Sequence, residues 1–312
     1  MIDGDKIKQA ALGKSHSILS ALGIDVPADP KLHTGCPICG PGRNNHRFRF
    51  ANEDGRGTWY CNSCGYGDLW HLIMQCLGID FIEALKRVGE ILGECEPDGP
   101  TPKKRDESQI RDALNKVWTA STPLTGSDLA SRYLHSRLLS LTPKDVRFCP
   151  TCYESETKKD MPAMVALVRN VQGVPVTIHR TYLDGPAKAK ISSPKKLMPT
   201  AGRVQTGAIR LFPPAGDLIG ISEGVESAIA ATQLWEIPTW AAISTAIMES
   251  FIPPEPIRRV VIFGDADANY AGQKAVYSLA NKLYAKDYIV DVQIPETGDW
   301  ADEIVRLERK SA

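Results

Sequence analysis

Cys36-Pro-Ile-Cys39 and Cys61-Asn-Ser-Cys64 form two CxxC pairs, each followed by glycine, with 21 residues between them. A CxxC knuckle lets two thiolates reach one tetrahedral ion at about 2.3 Å, and Gly40 and Gly65 permit the backbone to turn around the sulfurs. Two pairs at this spacing predict one structural zinc per chain, held by Cys36, Cys39, Cys61 and Cys64, ahead of a chance pairing or a redox dithiol. His46 and His71 lie nearby, but four thiolates already close such a site. Cys149-Pro-Thr-Cys152 has no second pair and reads as free thiols, because a zinc there would have to recruit Cys76, Cys95 or a histidine.

A second constellation is acidic. Ile219-Gly220-Ile221-Ser222-Glu223-Gly224-Val225-Glu226 is followed by Val260-Val261-Ile262-Phe263-Gly264-Asp265-Ala266-Asp267, and both runs place carboxylates just past an apolar strand. In an open parallel sheet, ligands bind beyond the carboxyl ends of the strands, so Glu223 and Asp265 can converge although distant in sequence. Asp265 and Asp267, two residues apart, point the same way if the backbone stays extended. Three converging carboxylates repel one another unless a divalent cation neutralises them, and hard oxygen ligands favour magnesium or manganese. The plainer alternative makes Glu223 and Asp265 caps of the helices that follow. Glu226 reads as a helix-turn residue supporting Glu223.

Between the cysteine pairs, Arg43-Asn44-Asn45-His46-Arg47-Phe48-Arg49-Phe50 alternates like a two-faced strand. One face can seat a small core while Arg47 and Arg49 meet phosphates. Phe48, Phe50 and Trp59 either stack on unpaired bases or simply pack the ribbon.

Formal charge is balanced at 37 basic and 37 acidic residues, but it is unevenly spread. From Arg169 to Arg210 there are eight Lys or Arg against Asp184 alone; from Asp217 to Glu303, fourteen Asp or Glu face five Lys or Arg. A phosphate-binding surface beside a cation-requiring acidic site would produce this asymmetry.

The elements that must position these residues can be read from periodicity. Apolar spacing predicts a helix within 3–22, short strands between Cys36 and Cys64, and helices at 68–77 and 80–92. Pro97 to Asp106 reads as a linker between a first domain, 1–96, and the remainder. Helices are expected at 107–120 and 127–139, then strands at 163–171 and 174–183 joined by a Gln172-Gly173 turn, then a basic loop at 184–206. Beyond it, strands at 218–223, 239–243, 260–264 and 289–294 alternate with helices at 224–235, 245–251, 270–286 and from about 300. That pattern is an α/β fold with a parallel sheet flanked by helices. Domains of 107–212, an α+β basic subdomain, and 213–312 follow. Tyr270, Tyr277 and Tyr284 recur every seven residues and are expected to pack against the sheet. At 312 residues with 43% hydrophobic composition the chain is an ordinary globular one, with no run near the roughly 20 apolar residues of a membrane span. Its first residues lack the apolar core of a secretory signal, from which a cytoplasmic location is expected. Gly13-Lys14-Ser15 mimics the end of a phosphate-binding loop, but Lys8 stands where the first glycine is required.

The cysteine-bearing segment, with Arg-Phe-Arg-Phe and then Gly-x-x-Thr-Trp-Tyr-Cys-x-x-Cys-Gly-x-Gly-Asp, resembles the N-terminal zinc ribbon of primases carried by phages and plasmids; His46 stands where that family often has an acid. Gly67-Asp68-Leu69 and Phe81-x-x-Ala84 are similar to the helices after the ribbon in bacterial replicative primases. Glu223-Gly224 followed by Asp265-x-Asp267 and Gly272 resembles the Toprim domain of bacterial-type primases, topoisomerases and some nucleases. Gly298-Asp299-Trp300-Ala301-Asp302 looks like the third acidic element of the phage and plasmid enzymes, with Asp299 the better candidate.

The resemblance spans about residues 30 to 305. It implies a primase that builds RNA primers on a single-stranded DNA template from ribonucleoside triphosphates, with Glu223 and Asp265 as main metal ligands, Asp267 and Asp299 assisting. It also implies a basic groove, here Arg180, Lys188, Lys190, Lys195 and Lys196, with Arg180 the strongest candidate, and a separately encoded replicative helicase as partner. The alternatives are a non-catalytic single-strand-binding adaptor and another Toprim enzyme, a topoisomerase or nuclease.

Overall fold

Each apolar residue of Phe48-Arg49-Phe50 turns inward and the arginine between them turns out, as strand alternation requires. The computed structural model describes residues 4–41, 46–95, 98, 106–202, 204, 206–268 and 270–311. Arg43, Arg203 and the expected linker at 97–106, apart from Asp98 and Asp106, lie outside the described residues. The chain divides into two units, Met1–Lys104 and Arg105–Ala312.

In the first unit, strands β1 (Phe48–Phe50), β2 (Trp59–Cys61) and β3 (Gly65–Gly67) form an antiparallel sheet in that order. The single helix expected near the N-terminus is two, α1 (Gly4–Ala11) and α2 (Ser15–Ala21). The break has a steric cause: the Gly13 amide donates to the Gly55 carbonyl at 2.8 Å, and a Cβ on Gly55 would lie 2.8 Å from the Gly13 Cα. Asp98, expected in the linker, instead accepts from the amides of Ser15 and His16 at 2.8 and 2.9 Å and so satisfies the orphan donors that open α2. Helices α3 (Leu69–Leu77) and α4 (Phe81–Ile91) follow, capped by Asp68 and Asp80. Their buried Leu69, Leu72, Ile73, Ala84 and Val88 join Phe48, Phe50 and Trp59 in one core.

The second unit is built on an 11-stranded sheet. It opens with α5 (Glu107–Thr119), β4 (Thr122–Pro123) and α6 (Leu129–Ser136), the helices capped by Asp106 and Asp128. A strand absent from the sequence reading, β5 (Val146–Glu154), comes next; its pairing with the following strand shifts register between Cys149 and Cys152, which accommodates Pro150. Strands β6 (Lys159–Arg169) and β7 (Pro175–Asp184) form the expected hairpin, and the basic segment adds β8 (Ala187–Lys188) and β9 (Lys195–Leu197) against β7.

A two-residue strand, β10 (Ala208–Ile209), pairs with β6 on one side and β12 (Thr239–Ala241) on the other. One sheet therefore runs without interruption across residue 212. The remaining elements are β11 (Leu218–Ser222), α7 (Val225–Trp235), α8 (Thr245–Ser250), β13 (Arg259–Phe263), α9 (Ala271–Tyr284), β14 (Ile289–Gln293) and α10 (Trp300–Ser311). Strands β14, β13, β11 and β12 lie side by side in that order, all parallel. Alternate residues of β13 face opposite layers: Val261 and Phe263 join the core beneath α7 and α10, and Val260 and Ile262 join that beneath α8 and α9. Phe263, Trp235 and Trp300 meet there with ring centroids 5.5 to 6.0 Å apart.

The tyrosines of α9 depart from expectation. Ala275, Val276, Leu279 and Leu283 occupy the sheet-facing stripe, leaving Tyr270, Tyr277 and Tyr284 exposed at 71%, 59% and 76%. A seven-residue recurrence identifies one stripe of a helix without saying which way it faces. Among the described residues no helix is long and apolar enough to cross a membrane.

Candidate metal centres and acidic site

The four cysteines converge as their spacing predicts. Cys36 Sγ lies 3.8 Å from Cys64 Sγ, Cys39 Sγ lies 3.8 Å from Cys61 Sγ, and all four sulfurs fall within 4.8 Å of one another. A tetrahedron with metal–sulfur bonds of about 2.3 Å has edges of about 3.8 Å, so the cage has the size of a thiolate-bound zinc. Among the described residues, this is the one group of three or more His, Cys, Asp or Glu drawn so close. Cys149 and Cys152 are buried on β5, and among the described residues no third ligand joins them.

Arg47 reaches Cys39 Sγ at 3.7 Å and Ser63 Oγ at 3.3 Å, so one of the two predicted phosphate-binding arginines leans on the metal cage. Arg49 is exposed, and the strand register places it beside Tyr60, itself paired with Tyr66. These three line one face across the sheet. Phe48, Phe50 and Trp59 are at most 3% exposed and belong to the core, which settles the choice left open by their sequence.

The acidic site begins with strand register. Ser222 at the end of β11 pairs with Phe263 at the end of β13, so Glu223 and Gly264-Asp265 leave the sheet at the same level. The helix after β11 packs on one face of the sheet and the helix after β13 on the other. Adjacent parallel strands whose connections diverge open a crevice at their carboxyl ends, where ligands bind in such sheets. Glu223 and Asp265 flank this crevice.

Neither residue caps a helix. The N-caps of α7 and α9 are Gly224 and Tyr270, with no side-chain cap in either. Asp68, Asp80, Asp106 and Asp128 show what capping aspartates look like in this chain. Burial, then the charges of Glu223, Asp299 and Asp267, push the Asp265 carboxyl up to about 7, against a hydrogen bond from Ser227 Oγ at 3.3 Å. Burial and Asp267 raise Glu223 likewise, and Lys195 opposes them. The four acids thus share one electrostatic field. Their turns are tied together, because the Ala266 amide donates to the Gly298 carbonyl at 2.8 Å. Gly272 keeps space beside them: a Cβ there would lie 3.0 Å from Asp267 Oδ2 and 3.3 Å from the Asp265 carbonyl. Asp299 has structural duties as well, accepting from the Asp302 amide at 2.8 Å and from Arg137 at 3.4 Å.

Glu226 binds Lys195, the cation that opposes the rise of Glu223. It is 3% exposed on α7, where it takes Lys188 Nζ at 3.1 Å, Lys195 Nζ at 2.9 Å and the Tyr133 hydroxyl at 2.6 Å. Burial alone would raise its pKa, but the two ammonium groups and the phenol outweigh burial and hold it well below the usual carboxylate range. His179 faces the same cluster; burial, then Lys195, lowers it to about 4, and its Nδ1 is buried without a hydrogen-bond partner.

The predicted basic residues divide by strand face. Thr181 pairs with Lys195 and Arg180 with Lys196, so Lys195 stands on the Glu226 side while Arg180 and Lys196 stand on the other. Arg180 donates to the Tyr153 carbonyl at 3.1 Å, and Lys196 pairs with buried Glu154. Lys190 is exposed. The structure thus brings Lys188 and Lys195, but not Arg180 or Lys196, to the acidic edge. Sequence reasoning missed Tyr133 and His179, whose neighbours lie far away along the chain.

Comparison with known proteins adds three family matches. Residues 31–70 match the zinc-binding domain of primase-helicase. Residues 218–308 match the Toprim domain, which covers Glu223, Asp265, Asp267 and Asp299. The chain carries a zinc ribbon of the primase-helicase type and a Toprim domain. Between these domains, residues 108–211 match a domain of unknown function, DUF7146.

Among solved structures, the zinc-binding and RNA polymerase domains of Aquifex aeolicus primase are similar at 15% identity and a TM-score of 0.45, over 100% of this chain and 84% of that one. A DNA primase domain from Pseudomonas aeruginosa is similar at 15% identity and a TM-score of 0.42, over 65% of this chain and 74% of that one. The primase fragment of the bacteriophage T7 primase-helicase protein is similar at 14% identity and a TM-score of 0.40, over 89% and 96%.

Proposed function

We propose that this chain synthesises short RNA primers on single-stranded DNA by metal-dependent nucleotidyl transfer in the crevice between Glu223 and Asp265. One observation carries the reading: in a Toprim domain joined to a primase-type zinc ribbon, Glu223 and Asp265 stand at the switch point of the sheet and cap no helix, and the charges of Glu223, Asp299 and Asp267 add to burial in raising the proton affinity of Asp265.

An all-carboxylate donor set whose members repel one another fits magnesium or manganese. Glu223, Asp265 and Asp267 would hold the ions, with Asp299 beside them. Bound there, divalent ions neutralise charge on the attacked α-phosphate and the departing pyrophosphate.

The chain's own residues position the reactants. Lys195 lies close enough to Glu223 to favour its ionised form, and Glu226 fixes the ammonium groups of Lys188 and Lys195. Both lysines are so held for the triphosphate of an incoming ribonucleotide. Arg47, Arg49 and Lys190 contact the template backbone, where contacts strengthen binding without reading sequence. Arg180 and Lys196, engaged on the other face of β7 and β9, have no part in the triphosphate site. A replicative helicase as working partner belongs to the same proposal, supported by the match of the ribbon to the zinc-binding domain of primase-helicase.

Zinc-loaded full-length chain, incubated with single-stranded DNA, labelled ribonucleotides and magnesium, makes short oligomers, and Asp265→Ala makes none. Product that persists in Asp265→Ala removes the site. Tight DNA binding with no product on any template identifies a non-catalytic adaptor instead.

A further inference from the structure

Two large aromatic side chains on α9 and a third at its N-cap would ordinarily find a core, yet they do not. Tyr277 and Tyr284 stand 59% and 76% exposed along the outer stripe of the helix, and Tyr270, the N-cap residue before it, stands 71% exposed. At a rise of about 1.5 Å per residue Tyr277 and Tyr284 lie about 10 Å apart.

Charge says what such a row suits. The segment from Asp217 to Glu303 carries fourteen acids against five bases, but Ala271 to Tyr284 contains Lys274 and Lys282 and no acid at all. Lys282 turns to the neighbouring helix, where its ammonium donates to the Glu249 carbonyl at 2.7 Å, so the outer face of α9 is an acid-free aromatic strip with Lys274 as its cation. It is also continuous with the catalytic edge, since the Tyr270 amide donates to the Asp267 carbonyl at 3.1 Å and Gly272 lies against the Asp267 carboxylate.

We propose that the outer face of α9 is a track for single-stranded nucleic acid running from the acidic crevice, with bases stacking on Tyr277 and Tyr284 and the backbone passing Lys274. Stacking on an exposed ring tolerates any base, because every base presents a π face. A flat phenol fixed to a rigid helix supplies that surface at little cost in side-chain freedom. The strip lies within three residues of Asp267, so a strand engaged there is delivered to the reacting position rather than merely bound to the protein. Near the far end of the strip the Tyr284 carbonyl accepts from the Asp287 amide, where an acid closes the run of uncharged and basic residues. This inference rests on the nucleic-acid reading of the same site for the identity of its occupant.

The test uses zinc-loaded full-length chain and fluorescein-labelled single-stranded oligothymidylate, followed by anisotropy. Replacing both Tyr277 and Tyr284 by Ala weakens binding at least tenfold, while replacing both by Phe, which keeps the rings, leaves it within about twofold, as stacking predicts. Both positions are exposed, so folding is expected to survive, and circular dichroism confirms it. Binding of the double Ala variant within twofold of wild type overturns the proposal. So does unchanged DNA binding with a shift in oligomeric state by size-exclusion chromatography, which would assign the strip to a second copy of the chain. Primer synthesis by wild type and its loss in Asp265→Ala are measured in parallel. An intact catalytic result beside unchanged DNA binding in the tyrosine variant sinks the track alone; weakened binding without primer synthesis in wild type sinks the catalytic reading alone.

Discussion

The Ala266 amide donates to the Gly298 carbonyl at 2.8 Å, and that bridge sets the turn bearing Asp265 and Asp267 against the turn bearing Asp299. Two loops separated by more than thirty residues are thereby made parts of one edge, next to the Glu223 that ends the neighbouring parallel strand. Backbone pairing brings the turns that bear these acids together.

The first prediction concerns the sulfur cage. Elemental analysis of purified protein should return one zinc per chain, and Cys61→Ser should abolish it. Because structural zinc supplies folding free energy of its own, the variant should expose 31–95 to protease while residues 106–311 stay resistant. Two zinc ions per chain would place the second at Cys149 and Cys152 and contradict the free-thiol assignment.

Glu226 carries the second. Removing one partner from a buried ion pair strands the others, so Glu226→Gln, which keeps the shape and deletes the charge beside Lys188 and Lys195, should cost about 3 kcal/mol in urea unfolding. Tyr133→Phe, which removes one hydrogen bond to the same carboxylate, should cost about 1 to 2 kcal/mol. Equal stability of Glu226→Gln and wild type would show that the cluster is held by packing alone.

Two groups of the second unit should each cost it stability in acid, against the opposite pull of Asp265. The raised Asp265 carboxyl takes up its proton first in the folded chain and so adds stability as pH falls through about 7. His179 has its proton affinity lowered to about 4 in the folded chain, so the unfolded chain takes up the proton first as pH falls. Stability from neutral His179 is complete above about 6.5 and is lost between there and about 4, to a total of about 3 kcal/mol. Glu226, held well below its ordinary value, adds its own loss from about 4.5 downward. Urea unfolding of wild type and His179→Gln across pH 8 to 4.5 isolates the His179 stage as their difference, the wild type losing the more stability as pH falls. An unchanged slope in that variant would assign the acid sensitivity elsewhere.

Much of this architecture is legible in the chain itself. Short apolar strands alternating with helices announce the parallel sheet, and the CxxC spacing announces the cage, because both are local patterns. What was not legible has physical causes. Val146–Glu154 was missed as a strand because Pro150 interrupts it, and only the shifted register between Cys149 and Cys152 makes that proline acceptable. The break between α1 and α2 depends on Gly13 touching Gly55, a contact between distant residues. The tyrosines of α9 share a stripe in the sequence, but the rival stripe of Ala275, Val276 and Leu279 takes the sheet. In the acidic site, Glu223, Asp265 and Asp267 could be named from their places after strands, whereas the partners of Glu226 could not: Tyr133 lies 93 residues away and Lys195 lies 31.

The central claim is that Glu223 and Asp265 share a divalent cation, and manganese binding followed by electron paramagnetic resonance tests it most directly. Wild-type chain at pH 8 should convert free manganese signal to bound, and Glu223→Gln and Asp265→Asn should each weaken that binding at least tenfold while the zinc content stays at one. Manganese bound equally well by all three proteins would contradict the account.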